Sequence, residues 1–261
     1  MIIDMHTHTF PESIAKKTIE ILAKKGNVKP YGFGTEKELI EHMKNSGTDI
    51  SLVLPVATKK EQVEKINLSS KNKDGLIYAA AFHPELEDFE KQISLICEKD
   101  FKCIKLHPEY QSFDILDKKY FPIYEELSNK DIYVTFHAGE DIGFKPPYHS
   151  SPQKFNELCS LFPNLKVILA HFGGYNLWDD VYSSLENHKN LYLDTAFCYK
   201  KVTENQFFNV LRKFSSEKIL YATDWPWESQ INTLNMLESY NLPKCDLDLI
   251  LGDNAKRILS V

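Results

Sequence analysis

Eight short apolar, β-branched or aromatic runs recur along the 261-residue chain, each separated from the next by an amphipathic stretch. The strand candidates are Ile2–His6, Ile50–Pro55, Leu76–Phe82, Cys103–Leu106, Ile132–Phe136, Lys166–Ala170, Leu191–Asp194 and Ile219–Ala222. Helix-like segments read as Glu12–Lys25, Glu36–Ser46, Lys59–Ser70, Glu87–Glu98, Lys118–Lys130, Gln153–Leu161, Asn176–Asn187 and Thr203–Phe214, with three more after the last strand. Near-continuous apolar strands belong to parallel sheets covered on both faces. Strict strand–helix alternation gives parallel βαβ units. Eight of them in this length match an α/β fold of the (β/α)8 TIM-barrel type. A doubly wound open sheet calls for a glycine-rich first turn, which the chain lacks. No low-complexity linker interrupts the pattern, so one domain over residues 1–261 is expected.

A barrel of this kind carries its chemistry at the C-terminal ends of its strands, and metal-competent side chains stand there. Strand one closes in His6-Thr7-His8. Residues two apart on a strand share a side, so the two imidazoles are expected to converge, with Asp4 on the same side and deeper in. Imidazoles fixed on rigid backbone suit a borderline-soft divalent metal such as zinc. Strand five closes on His137, strand six on His171 and strand eight on Asp224, each followed within a few residues by glycine or proline. Five metal-type side chains on four strand ends point jointly to a metal site.

These residues resemble the amidohydrolase superfamily, whose metal-site pattern they match in order. Ile3–His8, Ile104–Pro108, Leu169–Gly174 and Ala222–Pro226 are most similar to the amidohydrolase-related branch that includes aminocarboxymuconate-semialdehyde decarboxylase, and Gly252–Leu259 resembles its closing helix. The resemblance implies His6, His8 and His137 as metal ligands and Asp224 as a ligand or a metal-proximal base. It makes His171 a ligand of a second metal or a residue that acts on the substrate. Lys105 stands where related binuclear enzymes carry a carboxylated, metal-bridging lysine; an ion pair inside the barrel or an anchor for an anionic substrate is the other reading. The cofactor expected is one or two divalent ions, zinc first, with manganese or iron also compatible.

The activity implied is hydrolysis of a small amide, lactone or ester by metal-activated water, with Asp224 shuttling the proton. The alternative is a non-oxidative decarboxylase of a small enol-type or aromatic carboxylate. Arginine holds a carboxylate best, and the two arginines, Arg212 and Arg257, fall in helix-like segments away from strand ends, which favours hydrolysis. Among substrate contacts, His107 shares strand parity with Lys105, while Phe10 and Trp225 are expected to wall the pocket. Glu109 reaches a metal only if its loop folds back. Glu140–Pro152 is the longest irregular stretch and reads as a lid. Asp194 is expected to support the barrel interior.

Composition narrows the partners. A net charge of −6 without a basic tract argues against nucleic acid. The longest apolar runs are strand-length, so no membrane span is expected, and the N-terminus lacks a signal-type segment. Five scattered cysteines read as free thiols in a reducing compartment. The expectation is a cytoplasmic enzyme of a small molecule, with homo-oligomerisation left open.

Overall fold

The computed structural model describes residues 1–261. The strands are β1 Ile3–Thr7, β2 Ile50–Val53, β3 Leu76–Tyr78 resuming at Ala80–Ala81, β4 Cys103–Leu106, β5 Tyr133–Phe136, β6 Lys166–Leu169, β7 Leu191–Asp194 and β8 Ile219–Leu220. Each pairs in parallel with the next. β3 is interrupted at Ala79, whose N–H still donates to Val53 O at 2.9 Å. β8 closes on β1 through Met5 N–H to Tyr221 O, Asp224 N–H to His6 O and His8 N–H to Trp225 O. The result is the (β/α)8 TIM barrel that the alternation predicts.

Around it lie α1 Glu12–Gly26, α2 Glu36–Ser46, α3 Val63–Ser69, α4 Phe89–Glu98, α5 Pro108–Gln111, α6 Phe121–Ser128, α7 Pro152–Leu161, α8 Trp178–Ser184, α9 Glu204–Phe214, α10 Gln230–Ser239, α11 Lys244–Asp248 and α12 Asn254–Leu259. The helix starts are encoded locally. Thr35 with Glu38, and Thr203 with Gln206, form reciprocal capping boxes on α2 and α9, each worth about 1 kcal/mol. Leu39 and Met43 then bury one face of α2, and Phe207, Val210 and Phe214 one face of α9. The short α5 is not foreseen by periodicity; it is a single turn set by Pro108 at its first position after the His107 cap.

Period-two alternation sorts the strands between two cores. Val134 and Phe136 of β5 face outward into the helix layer with Phe155 and Leu158 of α7. Tyr133 faces the barrel axis, where Ile3, Leu52, Ala79, Cys103, Ile168 and Leu220 pack. Thr135 and His137 share that inward parity, as do Lys105 and His107 two and four residues beyond Cys103.

β1 breaks this rule, and the break corrects the expectation for Asp4. Ile3 pairs with Ile50 and Asp4 with Ser51, but Thr7 pairs with Val53, so three steps on β1 oppose two on β2. A bulge of this kind switches which side the later residues face. Ile3 and Met5 join the inner core, and His6 and His8 still reach the site. Asp4 instead turns outward, accepting from Thr223 Oγ1 at 2.6 Å and Gln230 Nε2 at 2.9 Å. It ties β1 to β8 and α10 and is not beneath the histidines.

Candidate active site

His6 Nδ1 donates to Asp194 Oδ2 at 2.8 Å, and His8 Nδ1 donates to Leu54 O at 2.8 Å. A neutral imidazole that donates from one nitrogen offers a lone pair at the other, so both Nε2 atoms are acceptors. They stand 3.2 Å apart. Asp224 Oδ1 lies 3.5 Å from the first and 3.1 Å from the second. Three acceptors thus converge with no hydrogen of their own between them, an arrangement that repels itself unless a cation stands at its centre. The donor set, two imidazoles and a carboxylate, is what zinc takes in open sites that leave room for water. The residues fit a divalent ion.

The remaining histidines continue the line. Ring centroids step 5.0 Å from His8 to His6, 5.4 Å to His171, 4.7 Å to His137 and 4.2 Å to His107. His171 Nδ1 faces Ala196 O at 3.2 Å, and its Nε2 faces His137 Nδ1 at 3.0 Å. His137 Nε2 faces Glu140 O at 3.1 Å. The structure thus sets His137 one ring away from the His6–His8–Asp224 trio, across His171. Its near neighbours on the other side are His107 and Asp141, which form a second group of metal-type side chains. That second group is of a different kind. His107 Nδ1 accepts from Tyr110 N–H at 3.5 Å, so His107 Nε2 carries a proton, with Asp141 Oδ2 3.4 Å away. The first group is acceptors alone; the second is donors around a carboxylate.

Burial explains why the imidazoles stay neutral. It pulls His6, His107 and His137 well below their ordinary value, with the Lys105 charge adding to it at His6 and His107, and His107 and His171 at His137. His171 is brought from 6.5 down to about 4, mainly by burial and against the pull of Asp224. An unfolded chain therefore takes up protons below pH 6.5 that the folded one refuses until about 4, and stability is lost as pH falls through that window. His171 alone accounts for about 3 kcal/mol. Burial raises Asp4 to about 6 and Asp194 to about 7, which works the other way over the same window. The four depressed imidazoles outnumber these two carboxylates, so the Tm of metal-free protein is expected to fall between pH 6.5 and 4, and a rising Tm would contradict the neutral row.

Lys105 is wholly buried, with Nζ 3.3 Å from His6 Nε2. Burial brings its amine down to about 8, against the opposing charges of Asp194 and Asp224. Asp194 proves more than barrel support: besides His6 Nδ1–H it accepts the backbone N–H of His171 at 3.0 Å, so one carboxylate orients the His6 imidazole and fixes the main chain that carries His171. Its position closing an apolar strand was the available signal. Asp141 carried none, lying four residues past His137 in irregular chain. His171 and Asp224 both hold left-handed backbone, φ +58 and +69, a strain that clusters where geometry serves function.

Two expected pocket walls lie elsewhere. Trp225 pairs with Thr7, an outward-facing position, and is fully buried with Leu39, Met43, Val53, Leu76 and Tyr78 under α2. Phe10 lines a groove of about 670 Å³ with Pro11, Glu36, Ile40 and Lys44, to which none of the site histidines contributes. Glu109 turns away from the metal-type cluster at His6 and accepts from His149 N–H at 3.0 Å. The five cysteines are unpaired, and no helix is long and apolar enough to cross a membrane.

Solved structures share this architecture. An uncharacterised TIM-barrel protein from Bordetella bronchiseptica superposes with a TM-score of 0.81 at 16% identity, over 99% of this chain and 98% of that one. A manganese-bound dihydroxybenzoic acid decarboxylase from Polaromonas gives 0.74 at 15%, over 99% and 96%. A putative 2-pyrone-4,6-dicarboxylic acid hydrolase from Pseudomonas putida gives 0.69 at 11%, over 99% and 97%. No curated protein matches by sequence. At these identities the superpositions speak for the fold alone. Sequence decides the family: a family model described as Amidohydrolase matches residues 3–261, every strand and every site residue included, and the chain belongs to the amidohydrolase family.

Proposed function

We propose that the protein is a metal-dependent hydrolase of a small amide, lactone or ester. The observation that carries this reading is the convergence of His6 Nε2 and His8 Nε2, imidazole acceptors whose tautomers are fixed from behind, with the carboxylate oxygen Asp224 Oδ1. A divalent ion bound there supplies Lewis acidity, polarising a carbonyl and bringing the pKa of water to about 7. Asp224 Oδ2 then takes the proton of the attacking water and returns it to the leaving group. Lys105 presents a buried ammonium 3.3 Å from His6 Nε2, placed to stabilise charge developing on the carbonyl oxygen. His171 Nε2 is an acceptor in this tautomer. Its part is therefore to take up a proton or, with His137 Nδ1, to hold a second ion.

Decarboxylation needs an anion cradle, and the arginines do not supply one. Arg212 bonds Asn209 on α9 and Arg257 bonds Asn254 on α12. Purified protein is expected to hold at least one zinc, manganese or iron per chain by elemental analysis. A panel of lactones, amides, esters and aromatic carboxylates, followed for hydrolysis and for CO2, separates the two chemistries. CO2 release with no hydrolysed product would overturn the hydrolase reading, and metal well below stoichiometry would overturn the site.

A further inference from the structure

The site is nearly closed. His6, His107, His137 and His171 expose 1, 8, 6 and 4% of their surface, and Asp224 8%. A substrate that reaches Asp224 therefore needs part of the rim to move.

The loop after β5 has a fixed foot and a lightly held tip. At the foot, Gly139 N–H donates to Ser150 O at 2.8 Å, and buried Glu109 accepts from His149 N–H and Ser150 Oγ at 3.0 and 3.2 Å. The bridge between Gly139 and Tyr175 ties the same foot to the turn after β6. The tip, residues 142–148, is exposed or half-buried throughout. It leaves its own strand and reaches α1. Ile142 sits on Gly26, where an added Cβ would stand 2.7 Å from Ile142 Cδ1 and 2.9 Å from Cγ1. The Lys25 stem lies along Gly143, and its Nζ stands 3.4 Å from the centre of the Phe144 ring and 4.7 Å from that of Tyr110. Phe144 meets Tyr110 edge-on at 4.9 Å, and Tyr110 meets His107 in the same way at 4.7 Å. One ammonium between two rings thus pins the tip beside the last histidine of the row.

The other side of this contact is α1. It follows β1, which stands four strands from β5 in the eight-stranded ring. At 15 residues it is about 22 Å long, enough to run from the β1 side of the mouth to the loops after β4 and β5. Only Ala15 and Ile19 are buried along its length, while Ile14 and Ile21 are 50 and 57% exposed. Its first half is seated by Ile19 against Gly34; its last turn holds through Lys25 and Gly26. Elements with so few buried contacts are the first to open locally.

We propose that the last turn of α1 and the tip of the loop after β5 are the two leaves of a gate beside the imidazole row, latched by Lys25 between Phe144 and Tyr110, and that substrate enters when the latch parts. A cation on the face of an exposed ring is a weak contact, so the latch parts readily while the foot at Gly139, Glu109 and Ser150 stays in place. The proposal takes the imidazole row as the active site, but its test needs no turnover and so stands or fails separately from the hydrolase reading.

The experiment locks the gate and then loosens it, on the full-length protein as purified. Ile142 Cβ is one bond beyond Cγ1, which brings it within about 4.4 Å of a Cβ at position 26, inside the reach of a disulfide. A Gly26→Cys/Ile142→Cys protein is therefore expected to cross-link under mild oxidant. The reporter is carbethoxylation of His107 by diethyl pyrocarbonate, read by peptide mass spectrometry. The cross-linked form is expected to react at least about 10-fold more slowly than the same protein reduced and desalted, the scale set by losing the open state. Lys25→Met keeps the apolar stem and removes the charge. It is expected to speed both His107 modification and hydrogen exchange of residues 142–148 about 5-fold, the size of one cation–ring contact, and Lys25→Arg restores both. Equal His107 rates in the cross-linked and reduced forms overturn the proposal, because the site would then open elsewhere. Wild-type rates in Lys25→Met overturn the latch, and cysteines that fail to join contradict the seating of Ile142 on Gly26.

Discussion

A His6→Gln protein is expected to lose its stoichiometric metal and at least about a thousandfold in turnover. The exchange removes one of three converging acceptors and leaves His8 Nε2 and Asp224 Oδ1 as neighbours 3.1 Å apart. It also strands the Asp194 carboxylate, whose Oδ2 receives His6 Nδ1–H in a fully buried place. A catalytic ion is worth several kcal/mol of charge stabilisation, and about 4 kcal/mol is a thousandfold. Asp224→Asn is expected to match that loss, because it removes both the third acceptor and the proton carrier. Asp194→Asn keeps all three acceptors and disturbs only the orientation of His6, for which about 10- to 100-fold is the expected scale. Elemental analysis and kcat/KM on the same preparations check the order. Full metal content in His6→Gln would remove the site, and an Asp194→Asn loss as deep as that of His6→Gln would make Asp194 something other than an orienting group.

The second large effect is on folding. Gly139 follows His137 by two residues, with φ +87, and a Cβ there would stand 2.2 Å from Tyr175 N and 2.5 Å from Gly174 C and Tyr175 O. All three are backbone atoms, and Gly139 is bridged to Tyr175 as a parallel pair. Neither side has a rotamer with which to yield. Left-handed backbone costs a residue with a Cβ about 1–2 kcal/mol, and forced overpacking about 1–3 more. Gly139→Ala is therefore expected to lower stability by about 2–5 kcal/mol and Tm by about 5 °C or more. Gly47 makes the control, with φ +74 but nothing within 4 Å of an added Cβ. Gly47→Ala should show the backbone cost alone. Equal losses in the two variants, by urea or thermal unfolding, would mean that the contact at Tyr175 gives way and that β5 and the turn after β6 are not locked together at the site.

Much of the architecture is written in short-range patterns. Ser151 and Pro152 start α7, the Thr35–Glu38 box starts α2, and apolar runs such as Val167-Ile168-Leu169 make parallel strands. Each rests on residues a few positions apart, so the sequence shows it directly. The site residues His6, His8, His171 and Asp224 are legible for a related reason: barrel geometry sends strand ends to one mouth, so a polar residue closing an apolar run is already placed. Trp225 and Phe10 are not legible in this way, because adjacency along the chain to a site residue says nothing about which side of the strand a ring takes.

What the sequence determined by itself is the strand–helix order, hence the barrel, and the kinds of side chain at its mouth. The tertiary structure alone decided which way Asp4 faces, that Asp194 holds His6 and His171, that His137 stands across His171 from the trio, and that Asp141 reaches His107. Those facts depend on a bulge defined against β2 and on hydrogen-bond partners 23 to 188 positions away. A ring nitrogen's character is set by what lies opposite it in space, and no spacing along the chain encodes that.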